Sequence, residues 1–335
     1  MTDLVTGAPQ SPEAALDEAE GISVEPLSQW DLFITRLRRH RLAMASTIYL
    51  FIIIAVSFLA PLVTCPDREP YCGKLLENPN ELLFDDNGRP FVDIAPRADF
   101  PFGTDDLGRD VLSRVIHGGR ASLIVAGVVG LIVAVMGTIV GALAGYYPGP
   151  VDQALMRFVD LVLGLPLLPV AIVMGFALPR IEAIPQSIRR GPWVVALLLG
   201  SLLWGGLSRI VRGEFLSLRE KEFVEAARAA GASDRRIIFR HILPNAMSPI
   251  IVQTTLIVGA AIIIEAALSF LGFGVPPPTP TWGGIVDAGG DLALRGKWWQ
   301  LVFAGFALIS TVLAVNFVGD GLRDALDPTQ TIERK

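Results

Sequence analysis

The sequence predicts an all-α fold: a polytopic membrane helical bundle of about six transmembrane helices, with a helical pair carried in one cytoplasmic loop. Three observations lead there. The 335 residues are 52% hydrophobic and only 18% charged, with a mean hydropathy of +0.52; soluble domains carry about a quarter charged residues. Several segments supply the run of about 20 apolar residues that crosses a hydrocarbon core about 30 Å thick. Arg and Lys gather before the first such segment and in one later loop, which sets an orientation. The net charge of -5 and the absence of a basic stripe argue against a nucleic-acid surface.

The elements follow in order. Residues 1–29 hold Asp3, Glu13, Asp17, Glu18, Glu20 and Glu25 with no Lys or Arg, and read as an acidic disordered tail. A secretory signal needs a basic start followed directly by an apolar run, so the first span is expected to be a retained anchor. Residues 30–41 form a basic pre-membrane segment containing Arg36, Arg38, Arg39 and Arg41. It places the N-terminus in the cytoplasm by the positive-inside rule. The first transmembrane helix is Leu42–Val63, and residues 64–121 make a long external loop. The core transmembrane domain covers 122–320, with spans near Ser122–Tyr146, Phe158–Leu178, Trp193–Ile210, Ile250–Leu271 and Leu301–Val318. Residues 321–335 form a cytoplasmic C-terminal tail.

The loop 211–249 between the fourth and fifth spans is rich in Arg and Lys, as a cytoplasmic loop should be. Arg180, Arg189 and Arg190 fall outside and go against that rule. Pro166 and Pro169 interrupt the third span, which neighbouring helices can tolerate.

Several residues invite a closer reading. Cys65 and Cys72, the only cysteines, lie in the external loop. An oxidising exterior permits a bridge between them, and two free thiols are the alternative. Without a nearby His they do not complete a zinc site, and no metal is expected. Gly137, Gly141 and Gly145 recur every fourth residue in the second span, a spacing that lets helices approach closely. Glu265 lies in the fifth span near its outer end; it either lines the pathway or a gate, or pairs with a polar group on a neighbour. Asp160 lies at the cytoplasmic end of the third span. The outer run Asp105, Asp106, Arg109, Asp110 and Arg114 alternates sign, so Asp105, Arg109 and Asp110 are candidates for docking an external partner. A self-paired cluster is the alternative.

Within the cytoplasmic loop, Phe223, Ala226, Ala227 and Ala230 follow helical spacing, and Gly231 stands where a left-handed residue would end the helix. Ser233 is placed to cap a second helix, with Ile238/Ile242 and Phe239/Leu243 as stacked pairs and Pro244 as its stop. A short helix with a shallow apolar face suits a hydrophobic groove on a partner, and Glu225 could pair at the groove's rim.

This loop resembles a known pattern. EAARAAG, then nine residues, then HILP is similar to the EAA coupling motif of binding-protein-dependent ABC importer permeases. Glu225, Ala226, Ala227, Gly231, Leu243 and Pro244 match, and His241 stands where an aliphatic residue is usual. FGTDDLGRDVLSRVIHGGRASL (102–123), GYYPGPVDQALMRFVDLVLGLP (145–166), EAALSFLGFGVPPPTPTWG (265–283) and VGDGLRDALDP (318–328) resemble the C-type inner-membrane chain of the dipeptide/oligopeptide/nickel branch.

The resemblance implies a permease subunit of an ATP-driven importer in a bacterial inner membrane, moving di- or oligopeptides inward by alternating access. A nickel or metal-chelate importer is the alternative, and an ATP-independent carrier or channel a more distant one. It implies as partners a second homologous permease chain, two cytoplasmic P-loop ATPase subunits and an extracytoplasmic solute-binding protein. ATP and Mg would be bound by those ATPase subunits. The chain itself has no P-loop, since Gly296-Lys297-Trp298 lacks both the spacing and the hydroxyl. Its three histidines, His40, His117 and His241, are far apart in sequence, and no catalytic set is read.

Overall fold

The computed structural model describes residues 34–38, 40–64, 76–182, 185–189 and 191–326, and most of these are helical, with 76–110 forming a loop. The acidic tail 1–29, the C-terminal residues beyond 326 and the pair Cys65 and Cys72 lie outside the described residues.

Among the described residues five helices are long and apolar enough to cross a membrane, six if one bent pair counts as a span. They are α1 (Arg41–Val63), α2 (Val111–Tyr146), α5 (Trp193–Leu218), α7 (Met247–Phe270) and α9 (Trp299–Leu326). At 1.5 Å per residue even α1 reaches roughly 34 Å, enough for the hydrocarbon core. Between α2 and α5 lie α3 (Pro150–Gly164) and α4 (Leu167–Ala177), and the connection from α5 to α7 carries α6 (Glu222–Ala229). A shorter helix, α8 (Trp282–Ala293), precedes α9.

The third span differs from expectation. In place of a continuous Phe158–Leu178 helix, α3 and α4 meet at an 81° bend. The cause is local: Leu165 (ψ 130°) and Pro166 (ψ 110°) are both extended. A residue before proline is pushed out of the α region, and proline removes a helix N–H donor. Other spans outrun their hydropathy limits. α2 starts at Val111 rather than Ser122 because Asp110 caps it, accepting from Leu112 N (3.3 Å) and Ser113 N (2.9 Å). α5 continues past Ile210 to Leu218, because hydropathy marks where lipid ends and not where the helix ends.

α2 packs along the length of α5, and the glycine repeat explains how closely. A Cβ on Gly137 would stand 2.9 Å from Leu207, one on Gly141 2.5 Å from the Ser208 carbonyl, and one on Gly145 2.6 Å from Phe215. Leu207, Val211 and Phe215, one turn apart along α5, fill that groove and are fully buried.

On the other side, α1 runs along α9, with Tyr49 Oη and Ser310 Oγ 2.7 Å apart. A Cβ on Gly321 would strike Ala43, so the start of α1 and the end of α9 share one side of the bundle. At the opposite side, Trp282 donates to the Val115 carbonyl (2.9 Å) and Trp299 to the Thr104 carbonyl (2.9 Å). The two indoles are buried with their N–H groups satisfied, which locks α8 and the loop 76–110 onto the bundle.

Candidate functional site

The helical pair after α5 is built from backbone chemistry first. Arg219 ends α5 through its N–H to the Phe215 carbonyl (3.0 Å). Lys221 turns extended, and α6 begins with Glu222 and Glu225 in its first turn and Arg228 in its last. That order suits the helix dipole. α6 closes as the sequence suggests: Gly231 takes φ +77°, Gly231 N–H reaches the Arg228 carbonyl (3.0 Å), and Ala232 N–H reaches Ala227 (3.0 Å). This doubly bonded turn satisfies carbonyls that a helix end leaves open.

The second member departs from expectation. Ser233 occupies the cap position, but its side chain makes no capping bond. Asp234–Arg236 begin as α-helix, Ile237–Ile242 are π-helical, and Leu243–Asn245 return to α. Leu243 N–H therefore bonds five residues back to Ile238. Pro244 does not stop the chain; it falls in the first turn of the three-residue piece that leads through Ala246 into α7. The wider turn changes which residues face inward. Ile237 and Ile242 are fully buried, Ile238 and Leu243 pack half-buried against them, and Phe239 is 62% exposed, so of the two pairs expected from four-residue spacing only Ile238/Ile242 keeps both members on the inner face.

Val224 meets Ile237 and Ile242 in one buried cluster with Phe215, and Ala227 packs against its edge. The rest of the predicted stripe points away: Phe223, Ala226 and Ala230 are exposed, as are Glu225 and Phe239. The pair thus seals its inner face on its own chain and presents small apolar side chains outward. A shallow depression of about 370 Å³ lies beside them, lined by Ser233, Arg235, Arg236 and Phe239.

Polar ties join this pair to the bundle. Tyr146 Oη donates to Asp234 (2.7 Å), Tyr147 Oη donates to the other Asp234 oxygen (3.2 Å), and Arg219 donates to the Tyr146 carbonyl (3.3 Å). Desolvation first, and the Asp234 carboxylate second, hold the Tyr147 hydroxyl above its ordinary pKa, so it stays protonated as a donor at neutral pH. Below these, Arg212 grips Asp152 of α3 through two bonds of 2.5 and 2.6 Å, and Arg209 pairs with Asp160 (2.5 Å). The coupling-loop candidates Glu225, Ala226, Ala227, Gly231, Leu243 and Pro244 therefore sit on a unit bonded to α2 and, through α5, to α3. Sequence reasoning missed the tyrosine–Asp234 link, whose only trace is a Tyr-Tyr pair just beyond a glycine-lined span.

Glu265 is fully buried. It accepts from Ser122 of α2 (3.2 Å) and from Ser269 one turn along α7 (2.8 Å), while Ser122 also accepts from the Trp282 N–H (3.3 Å). It staples three helices, and its partner Ser269 lines a cavity of about 550 Å³ together with Arg109, Arg114, Thr281 and Asp287 among others. Burial, then the nearby Asp291, pushes the Asp287 carboxyl up.

The charge run Asp105–Arg114 is largely self-paired. Asp105 is buried and holds Arg109 (2.6 Å) and Arg114 (3.5 Å). Asp110 is buried under its cap; burial pushes its carboxyl above the usual range, the N–H groups of Ser113 and Leu112 pull it back, and Asp105 pushes it further up. Arg109 alone of the three docking candidates lines the cavity beside Ser269. The same loop contains a repeat that sequence reasoning overlooked. DDNGR (85–89) and DDLGR (105–109) fold into like turns, with Gly88 and Gly108 at φ +72° and +82°. In each, the first Asp side chain accepts from the Arg backbone N–H, at 2.7 and 2.8 Å.

Comparison with known proteins places this architecture. A family profile described as "Binding-protein-dependent transport system inner membrane component" matches residues 137–332, and one described as "N-terminal TM domain of oligopeptide transport permease C" matches residues 28–76. The dipeptide transport system permease protein DppC of Bacillus subtilis is 38% identical over 311 residues, covering 93% of this chain and 89% of the relative. The oligopeptide transport system permease protein OppC of the same organism is 37% identical, covering 93% of each chain. OppC of Haemophilus influenzae is 36% identical, covering 94% of each. Among solved structures, inward-facing MetNI, a methionine ABC transporter, superposes with a TM-score of 0.52 at 19% identity, covering 64% of this chain and 96% of that one; this likeness bears on the fold. From the matched profiles and the relatives' near-complete coverage, the chain belongs to the binding-protein-dependent transport system inner membrane components, as a transport permease and not an enzyme.

Proposed function

We propose that this chain is the C-type permease subunit of an ATP-driven importer that carries di- or oligopeptides into a bacterial cell across its inner membrane. The observation that carries the reading is the cytoplasmic pair. Its inner face is sealed by Val224, Ile237 and Ile242, and its outer face of Phe223, Ala226, Ala230 and Phe239 is left without a covering element. A short exposed apolar face of this kind fits a groove on a partner.

In this reading the partner is one of two P-loop ATPase subunits that bind ATP and Mg, and both chain termini are cytoplasmic. A second homologous permease completes the pathway, and an extracytoplasmic solute-binding protein delivers cargo to the outer side. Closure of the ATPase pair on ATP pushes α6, and the Asp234–tyrosine ties pass that push to α2. Arg219 and the Arg212–Asp152 pair pass it to α5 and α3. Glu265 acts as a structural staple holding α2, α7 and α8 in one unit, and no group in this chain performs covalent chemistry.

Gentle purification of the tagged chain from its native membranes, followed by mass spectrometry, tests the reading. Recovery of a P-loop ATPase and a second multi-span permease is the expected result. A chain that emerges alone and moves solute in liposomes without ATP would overturn it.

A further inference from the structure

We infer that the four-helix groove beside α1 is a binding site for one glycerophospholipid, with an acyl chain in the groove and the lipid phosphate on Arg120. The groove holds about 310 Å³ and is lined by α1, α2, α7 and α9, with Leu50, Ile54, Phe58, Leu123, Gly127 and Ile262 among its walls. Its one hydroxyl, on Thr255, is spent on the Ile251 and Val252 carbonyls at 3.1 and 2.8 Å. The walls therefore offer a ligand only apolar surface, which suits a hydrocarbon chain.

Charge at one end selects the occupant. Arg120 lies on the same face of α2 as Leu123 and Gly127, three and seven residues further along the helix. It is exposed, and its guanidinium sits 5.9 Å from the ring centroid of Phe58, which is itself a wall of the groove. Among the described residues Arg120 has no carboxylate within salt-bridge distance, unlike Arg109, Arg209 and Arg212. Arg120 stands two residues before Ser122, where the apolar part of α2 begins, so its guanidinium lies at the interface, the level at which lipid phosphates sit. A phosphate directly above an acyl-filled groove supplies the anion that Arg120 lacks. Phe58 and Arg120 lie toward the C-terminal end of α1 and the N-terminal end of α2, so the headgroup belongs to the outer leaflet on the orientation proposed above.

The test is native mass spectrometry of the purified full chain, with whatever subunits accompany it, after detergent washing and titration with phosphatidylglycerol or with diacylglycerol of the same acyl chains. The wild-type protein should retain one phosphatidylglycerol and bind diacylglycerol about tenfold more weakly, the loss of a charge-assisted bond. Arg120→Gln should lower phosphatidylglycerol binding to the diacylglycerol level. Gly127→Leu, whose Cβ meets nothing within 4 Å and points into open space, should fill the groove and displace both lipids. Equal binding of the two lipids by the wild type, or undiminished phosphatidylglycerol in Arg120→Gln, overturns the inference. Should Gly127→Leu fail to fold, the exposed Arg120→Gln variant and the lipid pair still decide it. Retention is read without transport or cargo, so its outcome stands apart from that of the importer reading.

Discussion

At Gly141 the α2–α5 interface leaves no room for a single methyl group, because the obstacle is the Ser208 carbonyl, which cannot rotate away. Gly213, on α5 itself, has open space where a Cβ would go. Gly141→Ala should therefore destabilise the bundle by about 1–3 kcal/mol, the cost of overpacking. Gly213→Ala should be neutral or stabilise by up to about 1 kcal/mol through helix propensity. Thermal unfolding in detergent measures both, and equal shifts would refute this account of the glycine stripe. Gly231 poses a different problem. Nothing crowds it, but its φ of +77° burdens any residue with a β-branch. Gly231→Asn, which tolerates the left-handed region, should keep most ATP-driven uptake, while Gly231→Val should lose most of it with membrane insertion intact. Similar uptake from both variants would show that the turn does not matter to coupling.

The helical pair after α5 is tied to α2 through Asp234, which receives hydroxyls from both Tyr146 and Tyr147. Asp234→Ala should leave the five long helices folded and reduce uptake and ATPase stimulation together. Tyr146→Phe should cost more than Tyr147→Phe, since its bond is shorter (2.7 against 3.2 Å) and its ring buried. Transport rates of the three variants in proteoliposomes provide the check, and normal coupling in Asp234→Ala would remove the link. This element also shows what the sequence could disclose. The Gly231 turn was legible because one residue type alone determines it, and the α2 glycine face because small residues repeat at helical spacing. The inner face of 237–242 was not legible. Four-residue periodicity paired Ile238 with Ile242, whereas the π-turn buries Ile237 fully beside Ile242 and leaves Ile238 half-buried at the edge of the cluster. The tie to Asp234 joins residues 88 positions apart, and no local pattern announces such a contact.

For the whole molecule the broken span decides which surface faces what. Irregular backbone at membrane depth occurs only where protein covers it or where it lines a water-filled cavity. The extended residues Leu165 and Pro166 interrupt the α3–α4 pair, which by length and composition is either one broken span or a re-entrant loop, yet this chain leaves Leu165 47% exposed, so its own helices do not cover the break. Leu131 in the unbroken α2 is more exposed still, at 65%, but its backbone is satisfied within the helix and can face lipid. Exposure alone would rank Leu131 first for contact with a water-soluble probe, whereas backbone satisfaction ranks Leu165 first. In a Cys65→Ser, Cys72→Ser background, Leu165→Cys should therefore react with a membrane-impermeant thiol reagent in inside-out or right-side-out vesicles, or cross-link to the co-purifying permease chain. Leu131→Cys should do neither. A reactive Leu131→Cys beside a silent Leu165→Cys would mean that the break faces lipid, and the pathway would then have to be sought on another face of the bundle.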